Sequence, residues 1–172
     1  MKIQIKQWSG KNRELLIRQT IKHVASLIFS DQALAIIKTI NIKMIKSPQV
    51  TVCSKQSPAD GYLGYHYNTQ EGVVSICIKS TLSDTDFIGV LAHELMHLAQ
   101  FADQRLLMGS EDAFWKINGR YCRYNIQSES YQEYLDWPWE KEARDFANAY
   151  LKILNHSKRN EQAKAAKRKE SK

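Results

Sequence analysis

The segment Leu91-Ala92-His93-Glu94-Leu95-Met96-His97-Leu98-Ala99-Gln100 decides how the rest of this sequence is interpreted. Its apolar residues recur every three or four positions, a spacing that predicts an amphipathic helix. Each residue of a helix turns by about 100°, so residues four apart lie about 40° from each other around the axis. His93 and His97 form such a pair, and both imidazoles can therefore reach one ion. Glu94 is the next residue around the helix, close to the same cleft.

This pattern of two histidines and a glutamate predicts a catalytic zinc site. Imidazole is a common zinc ligand, and a catalytic site uses three protein ligands and keeps a fourth position for water. Glu94 would act as the general base that takes a proton from this water. We therefore expect Zn²⁺ as the cofactor, with His93 and His97 as two of its ligands.

The third ligand must come from another part of the chain, where histidine is scarce. Downstream of His97 the only histidine is His156, at the edge of a basic segment. The longer motif His-Glu-x-x-His-x-x-Gly-x-x-His, in which a third histidine follows the first two, is absent. Gln100 stands at its glycine position and Asp103 at its last histidine position. A carboxylate is therefore the expected third ligand.

Two glutamates of a second predicted helix, over residues 138–151, are candidates for this ligand. We prefer Glu142, because it shares a helical face with Phe146 and Ala149, whose side chains are apolar or small enough to face the protein. Glu140 lies nearer the first turn of the same helix and is the alternative. The choice between the two stays open at the level of the residues.

The rest of the chain predicts an α+β domain. Residues 105–138 are rich in aromatic side chains and contain two glycines, so we expect a broken helix or a loop layer that covers the cleft. The other segments show helical or alternating apolar spacing. We expect helices over 13–29, 31–37, 85–104 and 138–151, and strands over 3–5, 40–52, 62–67 and 73–78.

Charge separates a nearly neutral body, residues 1–155, from a basic tail, residues 156–172. The tail holds seven basic and two acidic residues and so carries +5 of the total charge of +7. We expect one domain over the body and a disordered or frayed helical tail. The tail offers weak contact with nucleic acid, because cations that neutralise phosphates release counterions.

Composition favours a cytoplasmic protein. The sequence has no run of 18 apolar residues, so no membrane span is expected. Its first residues lack the apolar region of a signal peptide. Cys53, Cys77 and Cys122 are odd in number and widely spaced, which argues against a disulfide framework and for a reducing compartment.

Two segments together resemble known zinc metallopeptidases. His93-Glu94-Leu95-Met96-His97, followed by Glu140-Lys141-Glu142-Ala143 and Phe146-Ala147, resembles the gluzincin group, in which a glutamate on a later helix is the third ligand. The second segment also resembles the ImmA/IrrE family of small bacterial and phage metallopeptidases. The resemblance implies a zincin-like fold, in which a small twisted mixed sheet packs on the His-Glu-x-x-His helix and on an N-terminal helix. Residues 73–78 would be the edge strand that lines the cleft and pairs with substrate backbone.

The resemblance also implies the hydrolysis of peptide bonds in a protein or peptide substrate. Tyr131 or Tyr134 would stabilise the oxyanion, and Asp145 or Asp103 would orient a ligand histidine. Two alternatives are a protease recruited to nucleic acid by the tail and a zincin-fold binding module without activity. The intact Glu94 counts against the second, because a binding module needs no general base.

Overall fold

A computed structural model describes most of the 172-residue chain. The described backbone covers residues 1–6, 11–52, 55–58, 60–68, 72–126 and 131–170. Side chains are described over the same ranges except at 6, 11, 49–52, 55–58, 62–68, 131, 158 and 160–170. Cys53 lies outside these residues, whereas Cys77 and Cys122 are free thiols.

Helices and strands follow one another in a mixed order. The helices are α1 (Lys11–Ile28), α2 (Asp31–Ile36), α3 (Asp84–Ala102), α4 (Tyr131–Asp136) and α5 (Pro138–Glu170). The strands are β1 (Lys2–Lys6), β2 (Thr39–Ile45), β3 (Gln49–Val52), β4 (Lys55–Pro58), β5 (Gly61–Asn68), β6 (Val73–Lys79), β7 (Leu106–Met108), β8 (Asp112–Ile117) and β9 (Arg120–Asn125). The predicted α+β class is confirmed.

The largest sheet is mixed and has the strand order β1-β2-β6-β5. β1, β2 and β6 are parallel, and β5 is antiparallel to β6. One face presents Ile40, Ile42 and Ile76 to α1 and α3, and all three side chains are fully buried. The prediction that residues 73–78 form an edge strand is wrong, because β6 pairs on both sides. β5 forms that edge, and the nearly unbroken burial along β6 is typical of an interior strand.

α3 lies between this sheet and α5, and two glycines allow the close approach. A Cβ added at Gly61 of β5 would lie 2.4 Å from Val90 Cγ1 of α3. A Cβ added at Gly89 would lie 3.0 Å from Leu151 Cδ1 of α5. Ser83 caps α3, since its hydroxyl oxygen accepts from the Asp86 backbone N–H. The motif helix is thus fixed on both sides and at its start.

The described residues between 105 and 138, which leave out 127–130, differ from the expected broken helix or loop layer, because they form a second sheet and α4. β7, β8 and β9 pair in antiparallel order. Asn118 and Gly119 both have positive φ, 49° and 80°, as a two-residue hairpin turn requires. The Asn-Gly pair is the sequence signal for this hairpin. The inner face of the sheet packs around Trp139, at the start of α5.

α5 begins at Pro138 as predicted and continues through the basic tail to Glu170. The expected helix covered residues 138–151, with a disordered or frayed helical tail from residue 156, and in the structure the helix extends over that tail. Alanine, lysine, arginine and glutamate have high helix propensity, which favours continuation without an apolar face. Among the described helices, none combines the length and apolarity that crossing a bilayer requires.

Replacing Gly72 with alanine should destabilise the protein strongly. Gly72 has a φ of +62°, and an added Cβ would lie 2.2 Å from the Ile36 carbonyl oxygen. The left-handed conformation costs an alanine about 1–2 kcal/mol, and the clash adds about 1–3 kcal/mol. We expect the free energy of unfolding, measured by urea denaturation, to fall by about 3 kcal/mol.

Gly119→Ala is the matched control for this substitution. Gly119 also has a positive φ, +80°, but no described atom lies within 4 Å of its added Cβ. The expected loss is about 1–2 kcal/mol, from the backbone conformation alone. Equal losses for the two variants would contradict the assigned clash at Gly72.

Candidate metal centre

Two histidines of α3 and a glutamate of α5 converge at the packed interface of these helices. Donor atoms of His93, His97 and Glu140 lie within 4.8 Å of one another. His93 Nε2 and His97 Nε2 are 3.0 Å apart. Glu140 Oε1 is 3.3 Å from His97 Nε2, and Glu140 Oε2 is 3.4 Å from His93 Nε2. The three side chains therefore form one possible metal-binding triad.

The spacing of these atoms fits a tetrahedral ion. Ligand atoms at about 2.0–2.1 Å from a tetrahedral zinc ion are about 3.3 Å from each other. The observed separations bracket this value, and two imidazoles with one carboxylate are a known ligand set of catalytic zinc. The side chains of His97 and Glu140 are 10% and 8% exposed, whereas that of His93 is 20% exposed. Solvent reaches the cluster at His93.

Glu142, the preferred ligand from the sequence, does not join this cluster. Residues two apart on a helix project about 200° apart, so Glu140 and Glu142 face nearly opposite sides. Both Glu142 carboxylate oxygens accept from Arg105 Nη1, at 2.8 and 3.0 Å. The buried stripe of α5 contains Glu140, Ala143 and Ala147, whereas Ala149, used to choose Glu142, is exposed. Glu140 therefore replaces Glu142 as the candidate ligand.

Aromatic packing fixes the first turn of α5, which carries Glu140. Trp139 is 2% exposed. Its ring lies 5.1 Å from that of Trp137, 5.3 Å from that of Tyr124 and 6.3 Å from that of Trp115, centroid to centroid. The second sheet thus holds the residue next to Glu140, a support that the sequence alone did not indicate.

Gln100, like Trp139, is a residue of the site to which the sequence analysis assigned no role. Its amide is fully buried, and its Oε1 lies 2.8 Å from His97 Nδ1. Its Nε2 donates to the Trp139 carbonyl oxygen at 3.0 Å and to Glu142 Oε2 at 2.8 Å. The i, i+3 spacing from His97 was the available signal, because such residues are neighbours on a helix surface.

The candidates for orienting a ligand histidine are placed differently. The Asp103 carboxylate accepts a hydrogen bond from the Ser30 hydroxyl. Asp145 is exposed. Gln100, rather than either aspartate, contacts a ligand imidazole.

The structure describes the side chains of one candidate oxyanion donor, Tyr134, and of the candidate base, Glu94. The Tyr134 ring packs edge-on against Trp137, with centroids 5.2 Å apart. The side chain of Tyr131 lies outside the described residues. Glu94 is 6% exposed, and its charge acts on His97. The candidate base is thus a buried carboxylate beside the triad.

The charges around His97 favour its protonated form. Burial alone lowers the pKa of the His97 imidazole, but the hydrogen bond and charge of Glu140, the charge of Glu94 and the Gln100 hydrogen bond together raise it to about 9. Burial alone would raise the pKa of Glu140, but the two histidines hold it well below its usual range. A cation is therefore favoured at this position, and a metal ion would displace the proton.

No protein-family model, curated protein or solved structure matches this chain. The resemblance to gluzincins and to the ImmA/IrrE family stays a prediction from two sequence segments.

Removing the Glu140 carboxylate should weaken zinc binding far more than removing that of Glu142. Glu140→Gln takes away one of three donor groups, and loss of outer-shell partners alone costs about 10–100-fold in affinity. We expect more than about 100-fold weaker binding for Glu140→Gln and less than about tenfold for Glu142→Gln, by competition with a chelating dye. The reverse order would return Glu142 to the ligand position.

Zinc affinity should rise with pH up to about 9. Below the His97 pKa of about 9, the metal-free imidazole holds a proton that zinc must displace. We expect about a tenfold gain in apparent affinity per pH unit between pH 6.5 and 8.5, from this group alone. The same competition assay in buffers of constant ionic strength measures it, and a flat profile would contradict the proton competition.

Proposed function

We propose that this protein is a zinc-dependent metallopeptidase. His93, His97 and Glu140 would bind the ion, and Glu94 would serve as the general base. The observation that carries this proposal is the convergence of three donor atoms at tetrahedral spacing, with a buried glutamate next in sequence to the first histidine. This combination of ligands and base is typical of peptidases with a helical His-Glu-x-x-His motif.

Each protein group has a distinct role in the proposed reaction. Zinc, when bound, would lower the pKa of a water molecule to about 7 and polarise the carbonyl of the scissile peptide bond. Glu94 takes the proton of the attacking water and donates it to the leaving amine. Its burial beside His97 excludes bulk water and strengthens these charge interactions. The substrate would reach the cluster at His93, its most exposed member.

A zincin-like fold is part of the same proposal. Three features support it: a mixed sheet with an antiparallel edge strand, α1 and α3 packed on one face of that sheet, and a later helix that carries the glutamate. β5, rather than β6, would then offer the strand edge to an extended protein or peptide substrate. Nucleic-acid contact by the basic tail and a cytoplasmic location stay predictions.

Glu94→Gln should abolish peptide cleavage while zinc binding persists. Glutamine has the same shape but accepts no proton, and loss of a general base costs about 10²–10⁴-fold in kcat. Cleavage of a fluorescently labelled unfolded protein, such as casein, measures activity, and inductively coupled plasma mass spectrometry measures zinc per chain.

Asp145→Asn is the matched control, because Asp145 is an exposed carboxylate of α5. Its activity and zinc content should equal those of the unmodified protein. A purified protein without stoichiometric zinc would refute the metal site, and an active Glu94→Gln variant would refute the assigned base.

A further inference from the structure

The Gln100 amide is fully buried, and its three contacts join the candidate metal centre to an ion pair. We propose that Gln100 is a positioning residue, which holds the His97 proton on Nδ1 and so reserves Nε2 for the metal. Glu142 and Arg105 in turn hold the orientation of the Gln100 amide. This inference rests on the metal site of the proposed function and extends it to residues outside the triad.

The contacts of Gln100 determine which end of its amide faces His97. The Trp139 carbonyl oxygen and Glu142 Oε2 lie 3.0 and 2.8 Å from Nε2. Both are acceptors, and a side-chain amide has two N–H donors on one end only. Turning the amide over would place its oxygen against two other oxygens, one of them charged. Oε1 is therefore the atom that faces His97.

This orientation determines the tautomer of His97. Oε1 of an amide only accepts hydrogen bonds, so His97 Nδ1, 2.8 Å away, must donate. A neutral imidazole has one N–H, which leaves the lone pair on Nε2. Nε2 is the atom that faces His93 and Glu140. Gln100 thus determines that Nε2, rather than Nδ1, is the nitrogen of His97 that can bind a metal.

Glu142 and Arg105 hold the Gln100 amide on the side away from His97. Arg105 Nη1 donates to both Glu142 oxygens, at 2.8 and 3.0 Å, and its guanidinium lies over the Trp115 ring, 5.5 Å from the centroid. These two contacts hold the carboxylate in place, so Glu142 is a fixed acceptor for Gln100. Glu142, which the sequence suggested as a ligand, instead acts on His97 through Gln100.

Gln100→Met tests the proposal, because methionine has a similar volume and replaces the amide oxygen that accepts from His97 with a sulfur that is only a weak acceptor. We expect zinc affinity to fall by about 10–100-fold, as for other partners of ligand histidines. The metal-free protein gives an independent readout. Proton–nitrogen NMR should show a His97 Nδ1 proton in slow exchange with water in the unmodified protein, and in fast exchange in Gln100→Met.

Exchanging the two polar groups provides a rescue. Gln100→Glu places the new carboxylate against the Glu142 carboxylate and the Trp139 carbonyl oxygen, so zinc affinity should fall by more than about tenfold. Adding Glu142→Gln restores a donor opposite the new carboxylate, which still accepts from His97. The pair should therefore bind zinc at least about tenfold more tightly than Gln100→Glu alone.

A double-mutant cycle measures the coupling between Gln100 and Glu142, and it tests the proposal even if a Gln100 variant is less stable. Glu142→Gln changes a partly exposed side chain, and its small loss of zinc affinity should vanish in the Gln100→Met background. Additive effects, no rescue by the pair, or unchanged His97 proton exchange in Gln100→Met would each overturn the proposal.

The outcomes separate this inference from the proposed function. If the unmodified protein binds no zinc, the proposed function fails, and His97 proton exchange in the metal-free protein still decides the role of Gln100. If zinc binds and Gln100→Met binds it equally well, the proposed function stands and this inference fails. Thermal unfolding of each variant confirms that the measured protein is folded.

Discussion

The burial of Trp139 against the second sheet is the contact on which the candidate metal centre depends. The residue precedes Glu140, is 2% exposed and contacts three other aromatic rings. Truncation of a buried tryptophan costs about 3–5 kcal/mol, so this packing sets the rotation of the first turn of α5. Its carbonyl oxygen also accepts from Gln100, which ties the same residue to α3.

The centre concentrates charges that would be costly to bury apart. Glu94 and Glu140 are buried carboxylates beside two imidazoles, and a buried charge without a partner costs several kcal/mol. In the metal-free state a proton on His97 offsets part of this negative charge. A divalent cation would offset more, because it interacts with the carboxylate and both imidazoles at once. The same charges that disfavour an apolar core therefore favour a metal there.

Sequence reasoning was accurate where the signal is local. The motif helix and the start of α5 at Pro138 follow from apolar spacing and from the chemistry of helix ends. Sequence reasoning failed over residues 105–138, where strands gain their stability from cross-strand pairs rather than from neighbours in sequence. The Asn118-Gly119 pair marked the hairpin, but the aromatic residues around it obscured the alternation.

The sequence by itself determined that His93 and His97 lie on one side of a helix, and it predicted a carboxylate as the third member of the candidate site. It also determined that Glu140 and Glu142 face opposite sides of α5, because helix geometry is local. Only the tertiary structure decided which of them meets the histidines. That choice depends on the rotation of α5 about its axis, which the packing of Trp139, far from α3 in sequence, sets. Gln100 and Arg105 acquire their contacts with Glu142 from the same rotation.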